Sequence, residues 1–194
     1  MHGQFFTQAA EEHNFLVRRF FERNADELAH TADRLVRTLQ SGGKILLFGN
    51  GGSAADAQHI AAELVGRFQH ERPALPALAL TTDTSVLTSV ANDYGYECVF
   101  TRQIEALGQR GDAAIAISTS GSSLNVVEAV RAARAKGMST VGLLGRDGGI
   151  LKELVDHPLV VEAQKTSRIQ EVHALVGHVL CEVIERELFF RRDG

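Results

Sequence analysis

The sequence predicts an α/β fold, an open parallel five-stranded sheet flanked by helices, with an N-terminal helical extension. Three observations point to it. The first forty residues carry only helical periodicity, the chain after Gly43 alternates short apolar runs with helical stretches, and the first four runs lead directly into Gly49, Thr81, Ser118 and Gly145. Continuously apolar runs of this length are how strands covered on both faces usually read.

Taken in order, Phe5, Phe6, Ala9, Phe15, Leu16, Phe20 and Phe21 mark a first helix. Its density of Phe predicts burial of more than one face, with a second subunit as the covering surface. Asn24 followed by Glu27 has the spacing of a capping box, and Leu28, Ala32, Leu35, Val36 and Leu39 continue at helical spacing until Ser41-Gly42-Gly43 stops the run. The strands are expected at Ile45 to Phe48, Ala77 to Leu80, Ala113 to Ile117, Thr140 to Leu144 and Leu159 to Val161. Helices are expected near 53–66, 84–91, 97–107, 123–136 and 148–155, with a long one at about 167–190. No repeat or Pro/Ser-rich linker divides the chain, so a single domain over 1–194 is expected, with 1–40 as N-terminal helices in an oligomer interface.

Composition narrows the function. A chain of 194 residues, 44% hydrophobic and 23% charged, has enough apolar material for one self-sufficient core. A net charge of −4 offers no electrostatic footprint for nucleic acid or an anionic membrane. There is no run of about 20 apolar residues and no signal-peptide pattern after Met1, His2, Gly3 and Gln4, so the expectation is a soluble, unexported protein. Cys98 and Cys181 are too few for a disulfide framework or a zinc ribbon, which fits a reducing cytoplasm.

Ligands of open parallel sheets bind beyond the carboxyl ends of the strands, and three features stand at such places. The loop Phe48-Gly49-Asn50-Gly51-Gly52-Ser53 runs from a strand into a helix. Its glycines permit left-handed backbone angles and close approach of a ligand, Asn50 suits sugar hydroxyls, and Ser53 suits a helix cap. It is neither a dinucleotide fingerprint nor a P-loop, so no nucleotide cofactor is expected. A purely structural turn stays open on these residues alone. The second loop, Ser118-Thr119-Ser120-Gly121-Ser122-Ser123, places five hydroxyls at a helix N-terminus, the combination suited to a phosphate.

The third feature pairs two helices. His59 and Glu63 are four residues apart and share one face. Gln170 and His178 are eight apart, about 80° around a helix, and can both enter one cavity. Two imidazoles, a carboxylate and an amide oxygen suit zinc, while Glu63 with His178 suits an acid and base pair; surface ion pairing is the third reading. His173 reads as a surface or core histidine, and Asn92-Asp93 reads as a turn.

The segment from Phe48 to His59, Ala62-Glu63, Thr81-Thr82-Asp83-Thr84-Ser85, Asn92-Asp93-Tyr94-Gly95-Tyr96, Ser118-Thr119-Ser120-Gly121, and Arg168-Ile169-Gln170-Glu171 with His178 together resemble the phosphoheptose isomerase family of the sugar isomerase (SIS) fold. The resemblance spans nearly the whole chain. It implies a cytoplasmic homotetramer with active sites at subunit interfaces, converting sedoheptulose 7-phosphate to D-glycero-D-manno-heptose 7-phosphate at the start of nucleotide-activated heptose synthesis for lipopolysaccharide and other surface glycans. Asn50, Gly51, Gly52, Asn92, Asp93 and Gln170 would contact the sugar, as would Glu63. Ser118, Thr119, Ser120 and Ser123 would hold the phosphate. Glu63 and His178 match the catalytic pair, and His59, Glu63, Gln170 and His178 match zinc ligands. Some relatives carry Asp where Ser167 stands here. A paralogue on the same fold, the initiator-associating protein of bacterial replication, shares Gly49-Asn50-Gly51, Glu71-Arg72-Pro73 and Arg168-Ile169-Gln170-Glu171 but lacks counterparts of Glu63 and His178. Both are present here, which favours the isomerase over that protein-binding alternative; isomerisation of another sugar phosphate stays open.

Overall fold

The computed structural model describes residues 2–190; the ends of the expected domain, residue 1 and residues 191–194, lie outside the described residues. The order is α1 (His2–Gln40), β1 (Ile45–Gly49), α2 (Gly52–Val65), β2 (Ala77–Ala79), α3 (Thr84–Tyr94), α4 (Thr101–Leu107), β3 (Ala113–Ser118), α5 (Leu124–Ala135), β4 (Ser139–Gly145), α6 (Gly149–Leu154), β5 (His157–Val161) and α7 (Thr166–Glu185). A 3₁₀ turn at Tyr96–Cys98 precedes α4, and a π-helical turn at Arg186–Phe190 follows α7. All five strands are parallel in the order β2-β1-β3-β4-β5, with Leu47 opposite Ile115 and Ile115 opposite Val141.

Alternation along the strands splits the core into two layers. Ile45, Leu47, Ile115, Ile117, Val141 and Leu143 face α1, α2 and α7, where they meet Leu35, Ile60, Leu64, Val172 and Val176. Leu46, Phe48, Ala114, Ala116 and Leu144 face the opposite way, toward Phe100, Ile104, Val126 and Val130. Small Ala side chains on β3 let the second layer of helices approach closely.

The two expected N-terminal helices are one long helix with a break. Asn24 has φ −115° and ψ 15°, and its Nδ2 donates to the Phe20 carbonyl at 2.8 Å. The amide therefore does not cap a new helix start. It bonds backwards into the preceding turn, which bends the helix without ending it. Glu27 does not close a capping box; its carboxylate pairs with His157 of β5 at 2.8 Å. Beyond the kink α1 buries Thr31, Ala32, Leu35 and Val36, while Phe5, Phe6 and Phe15 on the early turns are 70%, 76% and 63% exposed in the single chain.

Among the described residues no helix is long and apolar enough to cross a membrane. Cys98 and Cys181 are both free thiols.

Candidate functional site

After β1 the chain runs toward β2 at one edge, then crosses back past β1 to β3. The carboxyl ends of β1 and β3 therefore flank the point where the strand order reverses, the expected ligand crevice of such a sheet. The first two loops leave from these two strands.

In the first loop, Gly51 takes φ +57° and ends the turn, so α2 starts at Gly52, one residue earlier than expected. Ser53 consequently does not cap the helix. It lies inside the first turn, buried, with its N–H donating to the Asn50 carbonyl at 3.0 Å. Gly52 allows the close approach its residue type promised: a Cβ there would collide with the amide of Gln170 on α7. Asn50 exchanges two hydrogen bonds with Asn125 of α5, at 2.9 and 2.8 Å, and its Oδ1 also accepts from the Tyr96 hydroxyl at 3.3 Å. In this arrangement each amide gives one hydrogen to the other, which leaves the second hydrogen of Asn50 Nδ2 for a ligand. Neither Asn125, which is buried, nor Tyr96 was among the site residues expected from sequence. Asn125 lies two positions beyond the serine loop, in the first turn of a helix whose N-terminus was itself the signal.

The serine loop folds around Ser118, the buried last residue of β3. Its Oγ lies 3.4 Å from Ser120 Oγ and 3.3 Å from Ser123 Oγ and accepts the Gly121 N–H at 3.2 Å. Ser120 Oγ accepts the Ser122 N–H at 3.2 Å. Ser123 stands at the N-cap of α5 with no side-chain cap bond, so its hydroxyl stays in the cluster. Thr119 and Ser120 are half-buried, Ser122 is exposed, and no Lys or Arg belongs to the loop. A phosphate there would meet hydroxyls, loop N–H groups and the positive end of a helix dipole.

The third feature assembles where α2 and α7 cross. Gly177 makes that approach possible, because a Cβ there would press on Ile60 at 2.7 Å. His59 Nε2 lies 2.8 Å from His178 Nε2 and 3.2 Å from Glu63 Oε1. The ligand atoms of His59, Glu63 and His178 lie within 4.8 Å of one another. Phe68 stacks on His178 with centroids 5.8 Å apart. Gln170 rests on Gly52, two turns of α7 before His178, so its amide and that imidazole must lean toward each other to share an ion.

Asp56, one turn before His59, lines a hollow of about 190 Å³ with His59, Ile60, Ala174 and His178. Its Oδ2 is buried without a hydrogen-bond partner. Burial raises its pKa, and the nearby His59 opposes this only in part. It was not expected from sequence, although its place three residues before His59 is visible there. Asn92 and Asp93 are not a turn: they occupy the last helical turn of α3, exposed, with Asn92 Nδ2 donating to Asp93 Oδ1 at 2.8 Å. His173 is a core histidine that contacts the Leu144 carbonyl at 3.0 Å.

The SIS domain family pattern matches residues 8–145, well over half of the chain. The chain is 60% identical to a phosphoheptose isomerase from Roseiflexus sp. (strain RS-1), over 89% of this chain and 87% of that protein. It is 53% identical to one from Nitratidesulfovibrio vulgaris, over 96% of this chain and 89% of that protein. The chain belongs to the phosphoheptose isomerase family. As a member, it is an isomerase enzyme. Its backbone agrees with a solved phosphoheptose isomerase from Neisseria gonorrhoeae, with a TM-score of 0.90 and 41% identity over 95% of this chain and 99% of that one. A Francisella tularensis phosphoheptose isomerase gives a TM-score of 0.92 at 35% identity, covering 96% and 99% of the two chains. The fold of the phosphoheptose isomerases, a five-stranded parallel sheet behind a long N-terminal helix, is thus the fold found here.

Proposed function

We propose that the chain converts sedoheptulose 7-phosphate to D-glycero-D-manno-heptose 7-phosphate, the first step of nucleotide-activated heptose synthesis, working in the cytoplasm as a homotetramer. The single observation that carries this reading is the meeting of Glu63 and His178 around His59, with the serine loop and the first loop at the crevice between β1 and β3. Family membership supports the substrate class.

Isomerisation moves a hydrogen between adjacent carbons through an enediol. Ser118, Thr119, Ser120 and Ser123 hold the 7-phosphate, and Asn50, Gly51, Gly52, Asn92, Asp93 and Gln170 bind sugar hydroxyls. Glu63 removes the proton from C1 of the ketose and returns it to C2, using Oε2, since Oε1 faces His59. His178 moves a proton between O1 and O2, so the developing oxyanion is neutralised as it forms. Binding at both ends of the chain keeps the reacting carbons near the two groups.

Two imidazole nitrogens and a carboxylate oxygen this close together match the donor set of catalytic zinc sites, so His59, Glu63 and His178 fit Zn²⁺, with the Gln170 amide oxygen as the fourth ligand. Bound there, the metal would polarise the carbonyl and steady the enediolate. A Glu tightly bound to Zn²⁺ is a weaker base, so loose binding suits this chemistry better.

Incubating the purified protein with sedoheptulose 7-phosphate and following aldose formation, with and without a chelator, tests the proposal. Turnover is expected. No turnover in either condition, together with tight binding to the replication initiator, overturns it in favour of the protein-binding relative; faster turnover of a different ketose phosphate would reassign the substrate.

A further inference from the structure

Arg72 and Glu185 form a buried ion pair away from the reacting groups, with both side chains almost fully enclosed at 1% and 2% exposure. Arg72 follows α2 in the connection to β2. Its Nη2 donates to the Glu63 carbonyl at 2.6 Å, and its Nη1 to the carbonyls of Leu64 at 2.7 Å, Gly66 at 3.2 Å and Pro73 at 3.0 Å. These include carbonyls at the end of α2 that have no partner within the helix, at the negative end of its dipole. Glu185, at the end of α7, accepts the N–H groups of Phe68 at 3.2 Å, Gln69 at 3.0 Å and His70 at 3.1 Å, and its Oε2 lies 3.1 Å from His70 Nδ1. The two charges face each other at 3.4 Å between Arg72 Nε and Glu185 Oε1. Burial pushes the Glu185 carboxyl up, but the His70 ring and the three backbone N–H groups outweigh it and hold the carboxyl below the usual range.

A buried ion pair is a poor device for stability alone, because apolar residues of similar volume often do as well or better. What this pair does is geometric. It ties the turn of α2 that carries Glu63 to the last turn of α7, and His178 stands seven residues before Glu185, about two turns along the same face. We propose that Arg72 and Glu185 are positioning residues that set the placement of Glu63 relative to His178, and so the geometry of the acid/base pair and of its metal-binding donors. The inference rests on the isomerase reading for its catalytic consequence.

The test compares wild type with Arg72→Met, Glu185→Leu and the double variant Arg72→Met/Glu185→Leu, each as full chain. Thermal unfolding, kcat and KM on sedoheptulose 7-phosphate, and Co²⁺ affinity with its visible spectrum are read for each. Either single variant removes one partner of the buried pair and loses stability; the double variant removes both charges and recovers part of the loss, the rest staying with the carbonyls that Arg72 bonded and the N–H groups that Glu185 bonded. Positioning requires that activity not recover with stability. In the double variant kcat falls about tenfold to a hundredfold, KM stays within about twofold because the serine loop is untouched, and Co²⁺ binds about tenfold more weakly with an altered spectrum. A double variant with wild-type kcat and Co²⁺ affinity overturns the proposal. If it does not fold, Glu185→Gln, which keeps the shape and part of the hydrogen bonding, takes its place with the same expected direction. Unchanged kcat and Co²⁺ affinity in folded Glu185→Gln are equally fatal. Wild type without turnover removes the isomerase reading, and the Co²⁺ comparison then decides the clamp by itself.

Discussion

Glu63 has one oxygen turned to His59 and one free, while His178 faces His59 through Nε2 and stacks on Phe68. The roles proposed for them are separable by substitution. Glu63→Gln keeps the shape and loses the base, and His178→Ala loses the proton carrier. Each is expected to lower kcat by about 10²–10⁴-fold with the circular dichroism spectrum and melting temperature near wild type. Retained turnover in either variant would show that the pair is wrongly assigned. His59→Ala should lose bound zinc in equilibrium dialysis, since it removes a nitrogen central to the cluster. Ser118 is placed differently: its hydroxyl organises Ser120, Ser123 and the Gly121 N–H. Ser118→Ala is expected to raise KM by about tenfold or more with a smaller effect on kcat, as loss of a charge-assisted hydrogen bond network would. An unchanged KM would remove the loop from phosphate binding.

At the scale of elements, α7 carries both the imidazole proposed to react, His178, and a silent one. His173 is buried against β4, and burial pushes its pKa down from 6.5 to about 4, only partly opposed by the Leu144 carbonyl. Between those values the unfolded chain takes up a proton that the folded chain refuses. The neutral ring therefore contributes fully above pH 6.5, and its contribution is lost as the pH falls toward 4, by roughly 3 kcal/mol over the window. Urea unfolding at intervals across that range should show stability falling with acidity, and His173→Leu should flatten this dependence. An equally steep fall in the variant would place the responsible group elsewhere. The same helix depends on Gly177 for its approach to α2, so the meeting of His59 and His178 reflects packing between elements as much as the two side chains themselves.

For the whole molecule, the exposed early turns of α1 stand out. Phe5, Phe6 and Phe15 are all mostly exposed in the single chain, and each is worth about 2 kcal/mol if covered. With the homotetramer proposed above, Phe5→Ser/Phe6→Ser/Phe15→Ser is expected to shift sedimentation at micromolar concentration to smaller species. An unchanged sedimentation coefficient would move the subunit contact away from this face.

Strand positions were legible in the sequence because β1, β3 and β4, covered on both faces, are apolar nearly throughout, and the edge strands β2 and β5, only partly covered, still hold short apolar runs; the five runs end within one or two residues of β1 to β5. Helix α2 and the shared face of His59 and Glu63 were legible for the same local reason, a 3.6-residue period. The kink at Asn24 was half legible: the residue marked the place, but its amide bonded backwards to Phe20 instead of capping forwards. Asn92 and Asp93 were misread as a turn because the helical run of α3 continues through two residues that often end helices. Other features had no local signature. Asn50 meets Asn125 across 75 positions, His59 meets His178 across 119, and Phe68 N–H meets Glu185 across 117. The sequence by itself determined the fold class, the two loops at strand ends and the residue types suited to a sugar phosphate, all of which follow from backbone periodicity and side-chain chemistry within a few neighbours. Only the tertiary structure decided the strand order and which distant groups became partners, because those depend on how layers of helices pack on the sheet, where one missing Cβ at Gly177 or one buried charge at Glu185 fixes what lies within hydrogen-bond reach.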